Sequence, residues 1–248
     1  MQKLNLWNKH TLHRYQIIAG GLLILLTAAM LPKSSSAQHT YNQPFYDYSR
    51  NMHFGFTLGS NFSRFHYEFS DDFYQNDTLL QVNNRSFPGL TLGAIANWHT
   101  TERFNLRFLP SLILNQRNLE YEFADGTVEE REVESVLIEF PVHGKYKASR
   151  HGDFRFYILG GGKYSYDIAS QAEAASDPQR PIVALEPHQF SFEFGMGIDL
   201  YFKYFKFSPE IKISHGINDV LAESPSMYTQ VFDRIRTRFV YINLHFEG

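Results

Sequence analysis

Residues Phe190 to Phe202 read F-S-F-E-F-G-M-G-I-D-L-Y-F. A strict period of two builds an extended strand with one apolar wall and one polar wall, because successive strand side chains point to opposite faces. Phe190, Phe192, Phe194, Met196, Ile198, Leu200 and Phe202 share one face, and Ser191, Glu193, Gly195, Gly197, Asp199 and Tyr201 share the other. At about 3.3 Å per residue the run is long enough to cross a bilayer even when tilted as barrel strands are. The alternation predicts a transmembrane β-strand whose lipid-facing residues are Phe190, Phe192, Phe194, Met196, Ile198 and Leu200.

The same period recurs along the chain. It predicts strands over Met52–Phe62, Ser86–Trp98, Arg103–Asn118, Val133–Ala148 and Phe154–Ile168 before this one, and over Phe205–Ser214 and Ile235–Phe246 after it. The links around His99–Glu102, Ser149–Asp153 and Lys203–Tyr204 are tight, while the alternate links are polar and about 14 to 23 residues long. An even strand number with short turns on one rim and long loops on the other is the pattern of an outer-membrane barrel. The expectation is an all-β fold, an eight-stranded antiparallel up-and-down transmembrane β-barrel. Pro110, Pro141 and Pro209 fall within these strands, each removes a ladder donor, and bulges are expected there.

A soluble lipocalin-type barrel would put the apolar wall inside. An eight-stranded interior is barely wide enough for side chains, so three or more large apolar groups from every strand would overfill it. The opposite faces carry Gly, mid-sized polar residues and charges of both signs, which suit a narrow lumen where they pair. Lys163 and Asp167 are therefore assigned to the lumen with Glu193 and Asp199, with Lys163 expected near Glu193 or Asp199. Trp98, Tyr164, Tyr166, Tyr201 and Tyr204 fall near strand ends, where amphipathic rings form interfacial girdles.

Residues 1–37 read as a cleaved signal peptide. Lys3, Lys9 and Arg14 precede an apolar run from Ile17 to Leu31, and Ser35-Ser36-Ala37 offers small residues for cleavage before Gln38. Residues 38–51 are a periplasmic lead-in, and 52–248 the barrel. There is no Cys, so neither a disulfide scaffold nor a thiol-linked lipid anchor is available. Loss of 1–37 leaves 19 basic against 26 acidic residues, a balance unsuited to nucleic acid, which binds through phosphate neutralisation. Asp71, Asp72 and Asp77, and Asp125, Glu129, Glu130 and Glu132, are read as solvated loop acids lacking the ordered spacing of a calcium loop.

Catalytic and cofactor signals are weak. Gly160-Gly161-Gly162-Lys163 lacks the spacing of a phosphate loop and lies inside a strand, so small residues easing strand bending or lumen packing are the reading. The histidines are scattered and form no metal motif. Ser214 with His215, or His245 with nearby carboxylates, are the residues from which a hydrolytic site would be built. No cofactor, metal or catalytic residue is assigned.

Three runs carry a resemblance: V-L-I-E-F-P-V over Val136–Val142 with Lys145-Tyr146-Lys147, G-G-G-K-Y-S-Y-D-I-A-S-Q over Gly160–Gln171, and S-P-E-I-K-I-S-H-G over Ser208–Gly216 leading to Asn218. They resemble the PorT (SprT) family of type IX secretion proteins of the Bacteroidota. The resemblance implies a small outer-membrane barrel needed to export cargo with a C-terminal signal, supporting gliding motility in some relatives, with no catalytic residues to carry over. An eight-stranded barrel is too narrow to pass folded cargo, so partners besides the lipid bilayer would be other secretion subunits. Tyr41, Phe45, Tyr46 and Tyr48 of the lead-in are the candidate anchors for such a partner, or else pack against the barrel mouth. The alternatives are a structural or surface-binding outer-membrane barrel without a secretion role, and an outer-membrane lipid- or peptide-hydrolysing enzyme.

Overall fold

Each strand pairs antiparallel with its neighbours, and the first pairs with the last, so the sheet closes on itself. The computed structural model describes residues 42, 43, 46, 50–70, 79–123, 126–168, 185–222 and 232–248. The strands are β1 (Met52–Phe69), β2 (Leu79–Ser86), β3 (Pro88–His99), β4 (Phe104–Phe108), β5 (Ser111–Phe123), β6 (Val128–Lys147), β7 (Phe154–Asp167), β8 (His188–Tyr201), β9 (Lys206–Gly216) and β10 (Phe232–Glu247). β2 with β3, and β4 with β5, each form one interrupted arm, which makes a ring of eight. Residues 1–37, which the sequence predicts to be a signal peptide, and Tyr41, Phe45, Tyr48, Asp71, Asp72, Asp77 and Asp125 lie outside the described residues.

The interruptions have local causes. Leu109 and Pro110 divide the expected third strand into β4 and β5, because Pro110 has no N–H to give the ladder. The register survives the break: Phe108 faces Val142 before it and Ser111 faces Glu139 after it. On the second arm Ser86 faces Arg117 but Leu90 faces Leu114, so one extra residue is inserted near Phe87. Such a bulge reverses which parity points inward. Val82 is buried above it, and Thr91, Ile95 and Asn97 are buried below it. Pro141 and Pro209 instead stay in register within β6 and β9, facing Lys163 and Leu244.

The strands run further toward the long-loop rim than the sequence pattern suggests. β1 continues to Phe69, and β5 and β6 pair from Ser111↔Glu139 out to Glu122↔Val128. Glu129, Glu130 and Glu132 accordingly belong to β6 and not to a loop. Beyond Phe62↔Pro88, β1 and β2 share no backbone ladder. They are joined there by the Tyr67 hydroxyl donating to the Val82 carbonyl (2.6 Å) and the Asn84 amide donating to the Phe65 carbonyl (3.0 Å).

Outward positions are large and apolar through the middle of the barrel, as with Phe54, Phe56, Phe156, Phe192, Phe194 and Ile213. The interior is layered. Phe65, Val82, Leu119, Tyr121, Phe232 and Ile235 fill the long-loop end with Leu185 and Val220. Ile113, Leu137, Phe239 and Tyr241 form the next layer, and charged residues occupy the rest. Of the residues placed in an interfacial girdle, Trp98, Tyr166 and Tyr204 are exposed, but Tyr201 points inward and is 2% exposed. Its parity is that of Asp199, which fixes its direction.

Gly161 and Gly162 separate two possible roles for the glycine run. A Cβ on Gly161 would collide with the Val142 carbonyl oxygen, whereas one on Gly162 would meet nothing within 4 Å. Gly161→Ala is expected to destabilise the barrel by about 1 to 3 kcal/mol through overpacking, and Gly162→Ala to be tolerated. Urea unfolding of the two variants in lipid checks this; equal midpoints would contradict it.

Candidate functional site

Inward residues of β3, β4, β6, β7, β8, β9 and β10 converge on a buried ionic network that fills the lumen. Its upper tier centres on Glu193 of β8, whose Oε2 accepts from Lys212 Nζ (2.8 Å) and lies 2.5 Å from His143 Nε2. Lys163 Nζ is 3.3 Å from the other Glu193 oxygen and donates to Glu139 Oε1 (2.7 Å) and Tyr241 Oη (2.7 Å). The Tyr241 hydroxyl in turn donates to Glu139 (2.8 Å).

In the lower tier Arg107 donates to Glu210 (2.9 Å) and Glu247 (3.1 Å). Lys206 and Asn97 also donate to Glu247, at 3.0 and 2.9 Å. Lys145 spans both oxygens of Asp199 (2.8 and 2.9 Å), and Ser208 Oγ donates to the first of them (2.6 Å). Burying a charge is tolerable only when partners replace its hydration, and each of these ions has an opposite charge in contact.

Lys163, Asp167, Glu193 and Asp199 all lie inside and are buried. Lys163 meets Glu193, while Asp199 is paired to Lys145. Asp167 belongs to the layer above, facing Arg117, which is fully buried, donates to Ser135 Oγ (2.7 Å) and has its guanidinium 4.1 Å from the centre of the Phe65 ring. Phe190, Phe192, Phe194 and Met196 are exposed on the outer face, with Ile198 and Leu200 half-buried on the same face. Glu247 is the residue the sequence reading passed over. It continues the inward parity of Asn243 and His245, which was the available signal.

At the short-turn end Asn42, Gln43 and Tyr46 pack on the barrel. Asn42 donates its backbone N–H to Asp153 (2.8 Å), and the Arg150 guanidinium donates to the carbonyls of Gln43 (2.9 Å) and Asn42. Arg150 also lies over the Tyr201 ring, 3.8 Å from its centre. Tyr46 stacks on His53 at 4.1 Å and meets Tyr201 edge-on. It is 6% exposed, so it occupies the mouth and presents no surface to a partner. Its burial pushes the phenol pKa well above the ordinary value.

The residues suggested for hydrolysis are not so arranged. Ser214 points inward and His215 outward, as neighbours in a strand must. His245 Nδ1 is 2.7 Å from Thr57 Oγ1 and its Nε2 is 3.2 Å from Glu210, a hydroxyl–imidazole–carboxylate series. All three are shut in the packed lumen, where Glu210 also accepts from Arg107 and Tyr157. Among the described residues no cluster of His, Asp or Glu is placed to hold a metal ion.

The family model described as outer membrane protein beta-barrel domain matches residues 36–222, well over half of the chain. The chain belongs to that family. It is an outer-membrane barrel, and the apolar outer wall of this outer membrane protein beta-barrel domain faces lipid. Among solved structures it is similar to the outer membrane protein OprG from Pseudomonas aeruginosa, at 11% identity and a TM-score of 0.41, over 79% of this chain and 91% of that one. No curated protein matches the chain.

Proposed function

We propose that this barrel serves protein export across the outer membrane as a non-conducting accessory of type IX secretion, acting by contact with other subunits. The observation that carries the reading is the filled lumen: two tiers of ion pairs below an apolar core, with Tyr46 in the mouth, leave no path for cargo. The runs over Val136–Val142, Gly160–Gln171 and Ser208–Gly216 that resemble the PorT family supply the assignment to that system. In this reading residues 1–37 are cleaved on export, and the short-turn rim and lead-in face the periplasm. Phe190, Phe192, Phe194, Met196, Ile198 and Leu200 contact acyl chains, and the lumen charges serve rigidity. Tyr41, Phe45 and Tyr48 remain candidates for subunit contact, and Tyr46 anchors the segment that carries them.

Two measurements test this. Purified protein in planar bilayers is expected to show no stable conductance, because ion-paired and aromatic side chains pack the described lumen. Deletion of the gene is expected to abolish surface delivery of cargo with a C-terminal signal, and comparison of secreted proteins reads this directly. Normal export from the deletion strain would leave a structural or surface-binding barrel in its place.

A further inference from the structure

We propose that the outer face of β9, β10 and β1, at the edge of the apolar band, binds the phosphate groups of a membrane glycolipid of the lipid A class. The register brings His215, Arg238 and Arg64 side by side across three adjacent strands, with Arg236 and His66 abreast in the next row. All point outward: Arg64, His66, Arg238 and His215 are exposed and Arg236 is half-buried. Directly opposed residues are about 4.5 to 5.5 Å apart, and like charges so placed repel. Five basic side chains therefore share a surface only a few residues wide.

The described part of the barrel does not neutralise this surface. Among the described residues no carboxylate pairs with Arg64, Arg236 or Arg238, and Arg236 Nε is buried without a hydrogen-bond partner. The row beyond it is different, since Glu68 faces Arg234. So is the neighbouring arm, where Arg85 pairs with Glu120 at 2.8 Å. The excess positive charge is confined to two rows, and a phosphate accepting from two guanidinium groups would relieve it.

The surroundings select a lipid over a free anion. One row toward the middle of the barrel, on the same face of the same strands, stand Ile213, Val240 and Phe62. Phosphates at the basic rows would place attached acyl chains against these apolar side chains. A headgroup with more than one phosphate fits a patch that extends over three strands.

Native mass spectrometry of the full barrel in detergent, with lipid A, dephosphorylated lipid A and inorganic phosphate as probes, tests the site. The wild-type protein is expected to retain lipid A, and Arg64→Gln/Arg238→Gln to retain it about tenfold less, as loss of two charge-assisted contacts implies. Arg85→Gln, on the same rim but paired within the protein, is expected to match wild type. Dephosphorylated lipid A should bind as weakly to wild type as lipid A does to the double variant, and inorganic phosphate should not displace the lipid. Equal retention by a double variant that still shows heat-modifiable migration, equal retention of the dephosphorylated lipid, or displacement by phosphate would each overturn the proposal. If the double variant failed to fold, the two lipid forms on the wild-type protein would still decide it.

Discussion

Glu193→Gln is expected to destabilise the barrel by about 3 to 5 kcal/mol, the range for removing one partner of a buried ion pair. Glu193 is the counter-charge of Lys212 and one of two for Lys163, with His143 against the same oxygen as Lys212. Lys163 keeps Glu139 when Glu193 is lost, so the uncompensated charge falls on Lys212. Lys212→Met in the Glu193→Gln background should therefore restore much of the stability. Lys163→Met should likewise be relieved by Glu139→Gln, which loses its cation, but not by Glu193→Gln or Asp199→Asn, because Glu193 still holds Lys212 and Asp199 holds Lys145. Urea unfolding in lipid vesicles, followed by heat-modifiable gel migration, measures all of these. Simple additivity in the Glu193→Gln/Lys212→Met double variant would remove the pairing as the source of stability.

Phe194→Arg should cost about 2 to 4 kcal/mol, as expected for a cation near the bilayer midplane on the lipid face of a barrel. Phe194 is 57% exposed on the outer wall of β8, whereas Ser191, on the opposite face of the strand, is buried. Ser191→Ala should be nearly silent in the same vesicles, since among the described residues no side-chain hydrogen bond of the network passes through its hydroxyl. Equal responses of both positions in lipid would mean that this wall does not face acyl chains.

The membrane slab made the fold legible and hid its edges. Within the apolar band every second residue must be large and apolar, so β8 reads from sequence at a glance. Beyond the band the outward positions of β1 become Arg64, His66 and Glu68, and a strand polar on its outer face no longer contrasts with a loop. β5 and β6 outran their expected lengths for that reason. Parity sufficed to put Lys163, Glu193 and Asp199 in the lumen. It did not identify which carboxylate Lys163 meets, because that depends on the register across a long connection. Tyr201 and Glu247 were legible by the same parity, but their nearness to strand ends suggested girdle and tail instead. Packing of Tyr46 against the mouth was one of two open readings, and no periodicity links Asn42, Gln43 or Tyr46 to Asp153 or His53 to choose between them.

Glu247 gives the order of assembly an energetic direction. It arrives on β10, the strand that closes the ring against β1, and it contacts Arg107 from β4 and Lys206 from β9. A sheet lacking only this strand holds both cations without the carboxylate they share. Before β10 arrives Arg107 has Glu210 alone and Lys206 lacks its hydrogen-bonded carboxylate, so the charge balance of the lower tier is completed by the strand that closes the ring. The strand that seals the sheet thus carries the carboxylate that ties β4 and β9 together across the lumen, joining ring closure to lumen neutrality.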